Sequence, residues 1–141
     1  MKKTKETTFC YCTALRKATR TVSRMYNKAL EPSGLLSTQY ALLNHLNRLG
    51  PVSMNELAES LRLERTTLVR NLNPLLEQEF VGTESIQGTK AHRVFLTPLG
   101  KNALEGARPC WLKAQRTLRG YLSEEEESIL LQALQKLENC R

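Results

Sequence analysis

The fold is decided by residues 53–97, which read SMNELAESLRLERTTLVRNLNPLLEQEFVGTESIQGTKAHRVFLT. The first part of this stretch has apolar residues at helical spacing, at Met54, Leu57, Ala58 and Leu61. Ser53, with Glu56 three residues later, forms a capping-box pattern that satisfies the free amides of a first helical turn. The sequence therefore predicts a short helix that starts at Ser53.

The next part predicts a second helix with one apolar side, formed by Leu68, Leu72, Leu75 and Leu76. Side chains that can hydrogen-bond to bases and phosphates lie at or beside the other side: Arg65, Thr66, Thr67, Arg70 and Asn71. Only residues 62–64 separate the two helices, so the helices must cross sharply, with Leu63 expected to plug the core. This pattern is typical of a helix-turn-helix, which sets its second helix into a major groove.

Two β-prone runs follow, Phe80–Ile86 and Arg93–Thr97, joined by the polar link 87–92. They predict a hairpin whose link is the wing of a winged helix-turn-helix. The helix pair alone is a weak signal, since such spacing also occurs by chance in helical proteins. The hairpin and the segment LTPLG at 96–100 make the prediction more specific.

Taken in this order, the segments resemble the MarR family of bacterial regulators. The resemblance rests on ELAESL at 56–61, RTTLVRNL at 65–72, the turn into Phe80-Val81 and the LTPLG segment, and it runs from about Cys10 to Leu137. It implies a mainly α-helical subunit with a small β-hairpin wing, which dimerises and binds a pseudo-palindromic operator on double-stranded DNA. We expect one domain, 1–141, with dimerisation helices in 7–36 and 98–141 and a DNA-binding part at 37–97.

The flanking segments predict further helices. Residues 7–31 carry a helical apolar stripe that ends at Glu31-Pro32-Ser33-Gly34, and residues 37–49, with Ser37 or Thr38 as N-cap, predict a buried helix. Val52 can add a minimal strand beside the wing. Pro74 predicts that the second helix of the helix-turn-helix kinks or ends early.

Two more helices are predicted after Thr97. Apolar positions from Leu99 to Leu122 mark a long helix that Pro109 bends, and Ser123 with Glu126 forms another capping box. The last helix has an apolar stripe at Ile129, Leu130, Ala133, Leu134 and Leu137. We expect these helices to intertwine with a second copy in an interface of about 2,000 Å² or more.

The charge of the chain favours an anionic partner. The net charge is +7 and the pI about 9.5; residues 1–30 contain eight Lys or Arg against Glu6, whereas residues 31–141 contain thirteen of each sign. The excess either is a solvated basic helix face or attracts a polyanion, and the residues concerned include Lys2, Lys3, Lys5, Arg16, Lys17 and Arg20. With no membrane span and no signal-peptide pattern, we expect a cytoplasmic protein.

The resemblance assigns roles in DNA binding by position. Thr66, Thr67 and Arg70 match residues that face the groove, and arginine suits guanine while threonine suits a thymine methyl or a phosphate. Ser53 and Asn55 are candidates for phosphate contacts. The usual Asp-Arg-Arg of the wing falls on Gly88-Thr89-Lys90, which leaves Lys90, with Arg93 nearby, as the candidate for the minor groove.

The cysteines suggest a redox switch. Cys10, Cys12, Cys110 and Cys140 have neither zinc spacing nor a disulfide-scaffold pattern, and the sequence implies no metal or cofactor. In the organic-hydroperoxide-sensing branch of the family a reactive cysteine falls on Cys12, and a tyrosine that supports its thiolate falls on Tyr26. Arg16 and Ser37 replace two further tyrosines of that branch. Cys10, Cys110 or Cys140 can resolve an oxidised Cys12; alternatively, Cys12 is a small core residue.

Other switches and functions stay open. A small phenolic or aromatic ligand can lodge against Tyr40, Trp111 or Phe9, and His45 and His92 are expected to be structural or solvent-facing. A winged helix that binds protein rather than DNA is one alternative, and a thiol peroxidase is another that lacks any other catalytic residue. The sequence favours a dimeric repressor, released by oxidation or by a small ligand, that is not an enzyme.

Overall fold

The structure, a computed structural model, describes residues 8–141. Its elements in chain order are α1 (Tyr11–Leu30), a 3-10 turn (Glu31–Ser33), α2 (Ser37–Leu49), β1 (Val52–Ser53), α3 (Met54–Ser60), α4 (Arg65–Glu77), β2 (Val81–Ser85), β3 (His92–Leu96), α5 (Pro98–Arg119) and α6 (Glu124–Glu138). Lys2, Lys3 and Lys5, and the first helix's predicted start at residue 7, lie outside the described residues. The order confirms the predicted mainly α-helical winged helix.

The hydrophobic core lies where α2, α3, α4 and the sheet meet. Leu57 of α3 and Leu68 and Leu75 of α4 are each 0% exposed, so the predicted apolar sides of both helices are buried. The link between these helices is residues 61–64, one residue longer than predicted. Leu61 packs against the core, whereas Leu63, the predicted plug, is only half-buried.

The three strands form an antiparallel sheet in the order β1-β3-β2. Val52 pairs with Val94, which confirms the minimal strand beside the wing, and Val81 pairs with Leu96. The link between β2 and β3 is residues 86–91. The wing therefore extends from a sheet whose base is buried.

The LTPLG segment joins the sheet to α5 through Thr97 and Gly100. The Thr97 hydroxyl donates to the Glu79 carbonyl at 2.6 Å and accepts from the Gly100 amide at 3.0 Å, while the Thr97 amide donates to the Phe80 carbonyl at 3.1 Å. A Cβ atom on Gly100 would lie 1.9 Å from the Phe80 oxygen. Only glycine fits at this joint.

The N-cap predicted for α2 is wrong. The N-cap is Leu36, not Ser37 or Thr38, and the Ser37 amide donates to Asn27 Oδ1 of α1 at 2.7 Å. The Leu36 amide donates to Gln39 Oε1 at 2.9 Å. A side chain from the preceding helix thus takes the place of a local serine cap.

Two helix ends also differ from the predictions. α4 continues through Pro74 to Glu77, so of the two predicted alternatives, a kink or an early end, the early end is excluded. α5 continues through Pro109 but ends at Arg119, and Leu122 lies in the following turn rather than in the helix. α4 therefore keeps its full length.

The first and last helices leave apolar side chains exposed. α6 has no buried residue, and Ile129, Leu130, Leu131, Leu134 and Leu137 are exposed along it. At the start of α1, Phe9, Tyr11 and Leu15 are exposed, although the end of this helix packs against α5. Between residues 8 and 141, no helix is both long and apolar enough to cross a membrane.

Candidate nucleic-acid interface

The N-terminal ends of α3 and α4 are held together by side chains. Ser53 is the N-cap of α3, and its hydroxyl accepts from the Glu56 amide at 3.1 Å. Asn55, in the first turn of α3, accepts through Oδ1 from Arg65 Nη1 at 3.3 Å. Arg65 is the first residue of α4, so Asn55 fixes the direction of the first cation of that helix.

The outer side of α4, which we call the reading helix, is polar and accessible. Thr66 and Arg70 are exposed, and Thr67 and Asn71 are half-buried beside them. Each of these side chains carries hydrogen-bonding groups of the kind that read base edges or hold phosphates. The predicted base-reading side is therefore exposed or half-buried and is not part of the buried core.

Sequence reasoning missed two exposed residues of the reading helix. Val69 is 38% exposed, and Asn73 is exposed three residues after Arg70. The signal for Asn73 was its spacing, because residues three apart lie on one side of a helix. Val69 carried no such signal, since an isolated valine is read as part of the apolar stripe.

The tip of the wing is shaped by its own hydrogen bonds. The Ile86 amide donates to the Ala91 carbonyl at 3.0 Å, and the Thr89 hydroxyl donates to the Ile86 carbonyl at 3.0 Å. Gly88 has a φ of 81°, which favours glycine at this position. Lys90 follows this turn and is exposed.

A cleft of about 130 Å³ lies where α3, the reading helix and the wing meet. Four predicted site residues, from β1, α3, the reading helix and the wing, come together around it. The full lining is Ser53, Met54, Asn55, Arg65, Lys90, Ala91 and His92. Among the described residues, no acidic side chain lines the cleft, whereas arginine, lysine and histidine do. This arrangement suits a phosphate group.

The remaining predicted residues lie outside the cleft lining. Arg93 is in β3, the middle strand, where it pairs with Ser53 on one side and Glu84 on the other. Thr66, Thr67, Arg70 and Asn71 are on the reading helix. His92 was expected to be structural or solvent-facing, and it is exposed at the edge of the cleft.

The cysteine pair lies at the start of α1. Cys10 is the N-cap of this helix, and its sulfur accepts from the Thr13 amide at 3.4 Å. Hydrogen bonds from Thr13 lower the pKa of the Cys10 thiol below its ordinary value, and the charge of Arg16 acts in the same direction. Cys12 is exposed in the first turn. The favoured thiolate is therefore at Cys10, next to the cysteine that the resemblance selects.

Tyr26 lies in the second half of α1. Its hydroxyl donates to Gln115 Oε1 of α5, and burial raises the pKa of Tyr26. Tyr26 and Cys12 are fourteen residues apart on one helix, a separation of about 21 Å. Any contact between these two residues requires two chains.

The predicted ligand-binding aromatics occupy different environments. Tyr40 is 5% exposed and stacks on Trp111 with a centroid distance of 5.6 Å, so these rings pack against each other in the core. Phe9 is exposed and meets Tyr11 edge to face at 5.1 Å. A separate groove of about 600 Å³ lies between α1 and α5, with Lys28 and Lys113 among its lining residues.

Metal ligands are not grouped in the part of the chain that the structure describes. No set of three or more His, Cys, Asp or Glu side chains lies close enough together there to hold a metal ion. The four cysteines are all free thiols.

Comparison with known proteins gives a consistent result. The MarR family model matches residues 33–90. The chain is 26% identical over 113 residues to an uncharacterized HTH-type transcriptional regulator of Bacillus subtilis, YwoH, covering 80% of this chain and 82% of YwoH.

Solved structures show the same likeness across nearly the whole chain. The Mycobacterium tuberculosis transcriptional regulator MosR, in complex with DNA, is 31% identical with a TM-score of 0.80, covering 94% of this chain and 98% of MosR. Bordetella bronchiseptica BpsR, whose DNA binding is regulated by 6-hydroxynicotinic acid, is 18% identical with a TM-score of 0.86, covering 94% of this chain and 96% of BpsR. The chain belongs to the MarR family.

Proposed function

We propose that this protein is a DNA-binding transcriptional regulator that acts as a homodimeric repressor of a pseudo-palindromic operator in the cytoplasm. The cleft that gathers Ser53, Asn55, Arg65 and Lys90 carries the proposal. A cleft with cationic side chains and no carboxylate among its lining residues suits the DNA backbone, which supplies much of the affinity of such proteins. Its position at the start of the reading helix is where backbone contacts fix the register of that helix.

Base reading falls to the outer side of the reading helix. Arg70 is exposed there and can form paired hydrogen bonds with the O6 and N7 atoms of guanine. Thr66 and Thr67 can contact a thymine methyl or a phosphate, and Val69 adds a second apolar contact for a thymine methyl. These four side chains give the reading helix both polar and apolar means of distinguishing bases.

The wing supplies further contacts outside the major groove. Lys90 borders the cleft and is exposed, so it can reach a phosphate or the minor groove beside the reading helix. Arg93 is exposed on β3. Its neighbour across the sheet is Glu84, which carries the opposite charge.

The exposed helices support a dimer. α6 buries none of its own apolar side chains within one chain. α1 contains five basic and no acidic residues, whereas α6 contains five glutamates and one lysine, so the two helices have complementary charge. A second copy can cover these surfaces, and the two reading helices then enter successive major grooves about 34–36 Å apart.

Release by oxidation is the first candidate for the switch. The Cys10 thiolate can attack the O–O bond of an organic hydroperoxide, giving a sulfenic acid and an alcohol. The Cys12 thiol, two residues away, can then displace water from this sulfenic acid and form a disulfide. The uncharged sulfur of a disulfide is a weaker acceptor for the Thr13 amide than the Cys10 thiolate. Oxidation would thus weaken the cap at the start of α1.

Release by a small ligand is the second candidate. Tyr40 and Trp111 stack in the core, so they have little free surface for a ligand. The groove between α1 and α5 has about 600 Å³ of space, and its charged lining residues are Lys28, Lys113 and Glu31. The two lysines can pair with an anionic group on a small molecule, while Glu31 carries the opposite charge.

One titration tests these proposals together. The reduced protein and the protein treated with an organic hydroperoxide are titrated against duplex DNA from its own upstream region at several salt concentrations. We expect tight binding with a steep salt slope that is lost on oxidation and restored by a reductant. Tight binding that does not respond to oxidant would support the proposed regulator and exclude oxidation as its switch, so that a small ligand would be the remaining candidate. Binding no tighter than to random duplex, with no salt slope, would favour the protein-binding alternative.

A further inference from the structure

We infer that Arg62, Glu138 and Asn139 form a clasp that fixes the reading helix relative to the dimer and so determines which half-site spacing the protein accepts. We call this contact the Arg62 clasp. It joins the turn of the helix-turn-helix to the far end of α6, 76 residues later in the chain. The inference rests on the proposed function, because it concerns how a DNA-binding dimer places its two reading helices.

Three interactions hold the guanidinium of Arg62 at the end of α6. Arg62 Nε lies 3.3 Å from Glu138 Oε1, and Arg62 Nη2 donates to Asn139 Oδ1 at 3.2 Å. Asn139 is the C-cap of α6, where the helix dipole favours a positive charge. The guanidinium thus meets a carboxylate, an amide oxygen and a helix C-terminus together.

The acceptor side chain of Asn139 is held in place by a hydrogen bond of its own. The Asn139 side-chain amide donates through Nδ2 to the Gln135 carbonyl at 2.8 Å. This bond uses the donor end of the amide and leaves Oδ1 to accept from Arg62. Less side-chain entropy is lost on forming the contact than for two freely rotating side chains.

The donor side is fixed by the turn itself. Arg62 has a φ of 53°, in the left-handed region, and its amide donates to the Glu59 carbonyl at 3.1 Å. The next amide, of Leu63, donates to the Ala58 carbonyl at 2.9 Å. The reading helix begins at Arg65, three residues after Arg62. A displacement of Arg62 would therefore also displace the first turn of the reading helix.

The clasp is important because α6 has little else to hold it to its own chain. At its near end α6 has the Ser123 cap and an ion pair between Arg119 and Glu127 at 3.4 Å. Its fifteen residues span about 22 Å, and none of them is buried. In the proposed dimer the apolar side of α6 lies against the second copy, so the clasp links the reading helix to that interface.

The expected effect concerns position rather than stability. The side chains of Arg62 and Glu138 are 51% and 50% exposed, and exposed ion pairs contribute little to folding. Loss of the clasp should leave the melting temperature nearly unchanged. It should widen the range of positions that each reading helix can take.

The test compares two duplexes. One is the operator from the protein's own upstream region, and the other is the same operator with one base pair inserted between its two half-sites. The wild-type protein should strongly prefer the original spacing. Arg62→Ala and Glu138→Gln should each reduce this preference, the ratio of the two Kd values, by roughly two- to fivefold. Exchanging the charges, with Arg62→Glu and Glu138→Arg together, should restore part of the preference.

Two controls distinguish the clasp from a direct contact between Arg62 and DNA. Glu127→Gln breaks the ion pair at the near end of α6 and should leave the Kd ratio unchanged. Glu138→Gln keeps the charge of Arg62; if only Arg62→Ala has an effect, and it lowers the salt slope, Arg62 contacts a phosphate and the inference is overturned. An equal Kd ratio in all variants would also overturn it. If the wild-type protein binds neither operator, the proposed function fails, and the clasp fails with it.

Discussion

The reading helix and α6 have the same kind of sequence pattern but different environments. Leu68, Leu72 and Leu75 of the reading helix are at most 2% exposed, whereas Leu130 and Leu134 of α6 are 39% and 42% exposed. Apolar periodicity predicts that a helix has an apolar side. It does not show whether the same chain or another chain covers that side.

The two regions differ in whether one chain alone buries their apolar side chains. The winged helix encloses its own core and satisfies its helix ends with local groups such as Ser53. α6 is also well capped, at Ser123, yet its stripe is uncovered within the chain. We therefore expect changes in α6 to act through a second copy, and changes in the reading helix to act within one chain or directly on DNA.

The largest effect is expected from Leu134→Glu in α6. A carboxylate in the exposed stripe should prevent burial against a second copy, because an unpaired buried charge is costly. The chain should become monomeric, and operator affinity should fall by roughly 10²- to 10⁴-fold when bivalent binding is lost. Sedimentation velocity and DNA titration measure the two effects.

The matched control for this variant is Gln132→Glu, since residue 132 lies on the opposite side of α6. It adds the same charge and should leave a dimer with nearly normal affinity. A Leu134→Glu variant that remains dimeric would show that this stripe is not the interface.

A core substitution in the reading helix comes next. Leu68→Ala should lower the free energy of unfolding by about 2–5 kcal/mol, because Leu68 is 0% exposed and its removal leaves a cavity. Val69→Ala, one residue further along and 38% exposed, should change it by less than about 1 kcal/mol. Urea unfolding of the two variants measures the contrast. Equal losses would show that the helix is rotated about its axis, with Val69 as buried as Leu68.

A smaller effect is expected on the outer side of the same helix. Arg70→Ala should weaken binding to the operator by about 1–3 kcal/mol and relax the preference at one base position. Lys90→Ala should instead weaken binding to all sequences and lower the salt slope by about 1. Binding-site selection with each variant distinguishes the two roles. An unchanged base preference in Arg70→Ala would remove Arg70 from base reading.

The smallest effect is expected at the start of α1. Because hydrogen bonds from Thr13 lower the pKa of Cys10, its thiolate persists to lower pH than an ordinary thiol. Alkylation below the ordinary thiol pKa should therefore be several-fold faster in Cys12→Ser than in Cys10→Ser. Thr13→Val removes the hydrogen bond from the Thr13 side chain, the largest cause of the lowered pKa, and keeps the one from the Thr13 amide. It should therefore shift the alkylation profile of Cys10 to higher pH. Equal alkylation rates in the two serine variants would show that the Cys10 thiol is no more reactive than the Cys12 thiol.

Features set by nearby residues could be predicted from the sequence. The caps at Ser53 and Ser123 and the apolar spacing along the reading helix depend on residues within a few positions of each other. The LTPLG segment marks the position of Gly100 in the sequence, whereas the reason for a glycine there, the nearby Phe80 carbonyl, is visible only in the structure. Local chemistry therefore accounts for the helix caps and for the apolar side of each helix.

Features set by distant residues could not be predicted. Ser37 was a reasonable N-cap, but Asn27 from the preceding helix bonds to its amide. The hydroxyl of Tyr26 donates to Gln115, 89 residues away, and no pattern in the sequence connects them. The sequence indicates the site residues only one at a time. The cleft that brings four of them together, with His92 beside them, depends on the position of the wing next to α3 and the reading helix.

The close contact at Gly100 ties the start of α5 to the base of the sheet that carries the wing, so we expect the two to move together. The backbone of α5 lies so close to the Phe80 carbonyl that even a methyl group has no room, and Thr97 bonds to both sides of the joint. α5 has 22 residues, so it is about 33 Å long. A rotation of α5 by about 5° around its C-terminal end would displace the wing by about 3 Å. This displacement is close to the roughly 3.4 Å between neighbouring base pairs. A rotation that small in the dimer layer would move the wing by almost one base step along the DNA.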